Sequence, residues 1–198
     1  MPTDLIALDA LAVRKTVQLV ASITAADLSR PTPCAEWDLG ALLTHMTAQH
    51  RGFAAAASGH GGDLAAWSLT PFSVRDYAAS ADLVLAAFAA PGALDRTFEL
   101  PDFGASFPGR LAIGFHLVDY VVHGWDVATS LGRPYSVDAS VLAATLPIAR
   151  AVPDGPARLA PGAAFAPALP VPAEADPLAE ILLLLGRKLS VGADSKDA

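Results

Sequence analysis

A chain of 198 residues with one cysteine, Cys34, can bury a core of its own and cannot form an internal disulfide. Hydrophobic residues make up 53% of it, much of that alanine, and aromatics only 7%, which favours helix over sheet and excludes extensive disorder. A net charge of −7 with pI near 5.0 and no cluster of Lys and Arg argues against nucleic acid, and the longest strongly apolar run, Ile181 to Leu185, is far below the ~20 residues of a membrane span.

No basic segment precedes an apolar run at the N-terminus, so no signal peptide is expected and the cytoplasm is the expected compartment. The first helix is expected from about Leu5 to Ile23, on a loose stripe of Leu8, Leu11, Val17, Leu19 and Val20. Thr24 to Glu36, with Pro31, Pro33 and Cys34, reads as a loop. Asp38 then suits the N-cap of a second helix running to about Ser58, closed by the glycines of 59–62. A third helix fits about Ser73 to Ala90. Arg96 to Leu100 alternates like a short strand or extended loop, and Pro101 to Gly109 reads as a loop. The fourth helix spans about Arg110 to Leu131, stopped by Gly132 and Pro134, and the fifth about Asp138 to Ala151. From Pro153 to Pro177 prolines recur and the chain should be irregular; Leu178 to Leu189 suits a closing helix, and Gly192 to Ala198 should fray. The expected organisation is a helical bundle over 1–151, with 152–198 as a Pro-rich wrap and closing helix of the same domain.

The fourth helix carries the chemistry. At 100° per residue, Leu111, Gly114, Val118, Val121, Val122 and Trp125 share one face, and His116, Asp119, His123 and Asp126 share another. A solvated face would carry Lys, Glu and Arg; His and Asp alone point to a site. Asp119 and His123, four apart, stack on adjacent turns, and carboxylate and imidazole both suit Zn²⁺ and related ions. Asp126 is placed to orient the His123 ring. A third ligand has to come from a facing helix, as bundle cores build such sites. The second helix offers His45 and His50, between which periodicity does not choose. His116, Tyr120 and His60 are expected outside the ligand set, Cys34 as a small hydrophobe beside Trp37, and Trp37 and Trp125 in the core.

The run Trp37-Asp38-Leu39-Gly40-Ala41-Leu42-Leu43-Thr44-His45-Met46, followed by Asp119-Tyr120-Val121-Val122-His123-Gly124-Trp125-Asp126, resembles the DinB-like metal-binding bundles, in particular the branch of the mycothiol-dependent maleylpyruvate isomerases. The resemblance implies an all-α four-helix bundle holding one exposed divalent metal. It selects His45, eight residues after Trp37, as first ligand, and the carboxylate-x-x-x-His pair as Asp119 and His123. Two departures stand out. The isomerase has Glu where this chain has Asp119, one methylene shorter, and it has a larger C-terminal domain where only 153–198 remain here. The resemblance therefore implies a metal centre, Zn²⁺ or Ni²⁺, with one or more open positions. Its expected use is an enzyme that activates a low-molecular-weight thiol such as mycothiol, in a transfer or isomerisation on a small organic molecule. A hydrolase using water and a non-catalytic metal-binding protein are the alternatives. No nucleic acid or membrane is expected as partner, and a homodimer is left open.

Overall fold

The computed structural model describes residues 4–34, 37–160 and 163–189. The expected fraying of 192–198 and the extreme N-terminus lie outside them. The helices are α1 (Leu5–Val20), α2 (Leu39–Ala57), α3 (Val74–Phe88), α4 (Gly109–Ser130), α5 (Ala139–Ala151) and α6 (Pro177–Leu184), with two strands, β1 (Thr97–Leu100) and β2 (Ala105–Pro108). The fold is all-α, as composition suggested. By compactness the chain divides into residues 1–145 and 146–198, a break inside α5 one residue before Pro147, which cannot donate to the helical ladder. The sequence placed its change of character six residues later, at Ala151.

In the first unit, α1 packs on α4 and α3, and α2 on α3 and α4, which closes a four-helix ring. Caps set the helix starts. Asp4, Asp38 and Ser73 each accept the backbone N–H three residues on, Asp38 from Ala41 at 2.8 Å. Gly59 ends α2 in the left-handed conformation, φ +84°, and Arg96 donates to the Ala57 carbonyl left open there. The buried stripe of α1 differs from the expected one. Leu11 is exposed, and Asp9, Ala12, Val13 and Thr16 take its place inside.

The loop expected at 101–109 is instead half of a hairpin. β2 pairs antiparallel with β1 in the register Phe98 to Phe107, and the hairpin lies against α2 and α4. Its turn is a single 3₁₀ turn, Pro101–Phe103, closed by Gly104 at φ +59°. Phe98 and Leu100 point inward and join Phe53, Phe88 and Ile113 in the core. A 3₁₀ turn at Leu64–Trp67 also escaped the sequence reading. It lays the Trp67 ring on α2 where Gly52 leaves room; a Cβ there would sit 2.1 Å from the ring.

In the second unit, Arg158 is buried and its guanidinium donates to the carbonyls of Val152, Pro153, Ala166 and Leu184, so one side chain fastens the Pro-rich segment. α6 ends earlier than expected. Gly186 adopts φ +77° and Arg187 donates its N–H back to Leu182, which terminates the helix at Leu184 rather than Leu189.

Candidate metal centre

α4 packs against both α1 and α2, so its two-faced reading needs correction. From Ala112 to Gly124 only Phe115 and Asp119 are not buried. Trp125, expected in the core, is half-buried and Leu111 on the same face is exposed, whereas His116 and Asp126 are fully buried. The reason is that α1 and α2 both pack on α4, so the partly exposed Asp119 marks the opening.

At that opening His45, Asp119 and His123 converge. Each offers one donor atom, and the three atoms lie within 4.8 Å of one another, the only such trio among the described residues. His123 Nε2 is 3.3 Å from Asp119 Oδ1. That spacing is long for a hydrogen bond but matches two corners of a tetrahedral ion with bonds of ~2.0–2.1 Å, which lie about 3.3 Å apart. His123 Nδ1 donates to Asp126 Oδ2 at 2.9 Å, which turns Nε2 toward the site. His45 arrives from α2 because α2 and α4 run antiparallel, with Tyr120 bonded to the Met46 carbonyl one residue along. His45 and Asp119 are half-buried and His123 buried, so the opening faces solvent on one side.

The electrostatics suit ligation. Burial lowers His45 to about 4, so this imidazole is neutral with a free lone pair. Burial would raise the Asp119 carboxyl, but the imidazoles of His123 and His45 outweigh it and bring it down to about 2. Burial opposes charge on His123 as well; there the two carboxylates, Asp119 and Asp126, win and raise it to about 9.

Trp37 is not in the core. It is half-buried, and its ring lies 4.6 Å from that of His45 and 6.1 Å from that of His123, so it walls the site. Backbone contacts hold it there, with Thr32 Oγ1 donating to the Trp37 carbonyl and Trp37 N–H donating to Cys34. Cys34 is half-buried in that loop. His60 is exposed, as expected.

His50, the competing candidate, faces elsewhere. It is buried beside His116, with ring centroids 5.8 Å apart, and both rings stack on Tyr120. His116 Nδ1 donates to Asp9 Oδ1 at 2.7 Å with neither side chain exposed. His50 Nδ1 meets Ser80 Oγ at 3.0 Å. Since Ser80 gives its own hydrogen to the Tyr77 carbonyl, it must accept from His50, which fixes the Nδ1–H tautomer. No sequence signal could have found the Asp9–His116 pair, whose members are 107 residues apart.

The comparisons agree with this architecture. Residues 10–128 match the model of the mycothiol maleylpyruvate isomerase N-terminal domain. Two curated relatives, the uncharacterized proteins Rv0738 and MT0763 from two strains of Mycobacterium tuberculosis, are each 31% identical over 177 residues, covering 85% of this chain and 90% of the relative. No solved structure matches. With more than half its length inside that model, the chain belongs to the family of the mycothiol maleylpyruvate isomerase N-terminal domain, with a DinB-like all-α fold.

Proposed function

We propose that His45, Asp119 and His123 hold one divalent ion, Zn²⁺ or Ni²⁺, and that the protein is an enzyme using a low-molecular-weight thiol such as mycothiol on a small organic substrate. The observation that carries this is the convergence of two imidazoles and a carboxylate at a half-open position, with a 3.3 Å edge between His123 and Asp119. An ion bound by three protein groups keeps a position for an exogenous ligand and lowers the pKa of a thiol or water brought there. The chain's own residues do the rest. Asp126 holds His123 in the orientation that presents Nε2. Asp119 supplies the negative charge, one methylene closer to α4 than a glutamate would. Trp37 covers His45 and restricts water on that side. Support for the thiol comes from family membership, and a cytoplasmic setting would keep such a thiol reduced.

The test is elemental analysis of the purified protein, followed by titration of its Co²⁺ form with mycothiol. One transition-metal ion per chain and a sulfur-to-cobalt charge-transfer band are expected, both lost in His123→Ala with helicity retained. A metal lost from His50→Ala but kept in His45→Ala would overturn the ligand set. A spectrum that responds to hydroxide near neutral pH but to no thiol would favour a hydrolase.

A further inference from the structure

We infer that the substrate side of this centre is built for an aromatic or similarly planar apolar group, carried by an aromatic ledge one helical turn from the metal ligands. The inference rests on the metal centre proposed above.

The opening between α2 and α4 continues past the ligands. On α2 the residues not buried between Leu42 and His50 are Thr44, His45 and Gln49; on α4 Phe115 accompanies Asp119. Gln49 follows His45 by four and Phe115 precedes Asp119 by four. Because the helices are antiparallel, both steps lead the same way, about one turn or 5.4 Å along. At that level the hairpin turn closes over the strip. Gln49 Nε2 donates to Asp102 Oδ2 at 3.2 Å, tying the turn to α2. The next residue, Phe103, stacks on Phe115 with centroids 5.3 Å apart and planes 21° apart, and Phe107 packs edge-on against both rings.

Three phenylalanines thus form one cluster beside the centre, and Phe103 keeps 54% of its surface in water. Rings presented together at the edge of a reactive position offer a planar apolar ligand a contact surface.

The test uses the Co²⁺ form of the full chain and two pairs of probes, followed by the visible spectrum: benzohydroxamate against acetohydroxamate, and benzyl mercaptan against 2-mercaptoethanol. The aromatic member of each pair should bind roughly tenfold tighter or more. Phe103→Ser, at an exposed position of the hairpin turn, should erase the aromatic preference. Leu83→Ser, an equally exposed site on α3, should keep it. Equal affinities within the hydroxamate pair, or a preference that survives Phe103→Ser, would overturn the ledge. Hydroxamates binding with the aromatic preference while no thiol binds would overturn the thiol reading alone. Failure of every probe would overturn both.

Discussion

Loading the centre should release one proton at neutral pH, and that proton should come from His123. Without metal, His123 is raised to about 9 because Asp119 and Asp126 flank its two nitrogens. At about pH 7.5 the imidazolium then outnumbers the neutral ring by ~30 to 1. His45, lowered to about 4, and Asp119, at about 2, are already deprotonated. An ion must therefore displace one proton, and its apparent affinity should rise about tenfold per pH unit from roughly pH 5 to 9, then level off. Below about pH 4 a second proton, on His45, should steepen the dependence. Calorimetric titration in buffers of different ionisation enthalpy counts the protons directly. Asp126→Asn removes one of the carboxylates that hold the proton, so release near pH 7.5 should fall below one. Above pH 9, where proton competition has ended, this variant should still bind about 10–100-fold more weakly because Nδ1 loses its orienting acceptor. A proton count near zero, or near two, at pH 7.5 would refute this account of the three donors.

The same shift predicts how the metal-free protein responds to pH. A raised histidine pKa stabilises the folded state below the unfolded value of 6.5, and that stability is lost as pH climbs through about 9. Chelator-treated protein should therefore lose about 3 kcal/mol between pH 6.5 and 9 by chemical denaturation, and metal-loaded protein should not. Gly52→Ala should push the Trp67 ring off α2, break its hydrogen bond to the Gly61 carbonyl, and cost about 1–3 kcal/mol, with a red shift in tryptophan emission. His50 should show the Nδ1–H tautomer in side-chain ¹⁵N spectra. Ser80→Ala, which strands that buried N–H, should destabilise by about 1–3 kcal/mol without changing metal content.

Local signals carried much of the fold. Asp38 announces α2 because an aspartate side chain can satisfy the first free N–H groups of a helix, and Gly59 ends it because the turn needs a positive φ. The Asp119–His123 pair is equally local, since a spacing of four puts both on one side of any helix. Beyond that range the sequence became ambiguous. His45 and His50 are five residues apart and so point in well-separated directions from α2; only the packing of α2 on α4 turns one toward Asp119 and the other toward His116 and Ser80. His116 looked like a neighbour of the site on its own helix until α1 brought Asp9 against it. Trp37 looked like core until the preceding loop set its ring over His45. β2 read as a loop because its pairing with β1, like the seating of Phe103 on Phe115, is settled by residues on other elements. Most of what depended on one helix or one turn was legible in the sequence, the short turn at Leu64–Trp67 and the end of α6 at Gly186 excepted. What depended on two elements meeting waited for the tertiary structure, because a side chain's direction in space comes from how its helix is packed, and the residues doing the packing are dispersed along the chain.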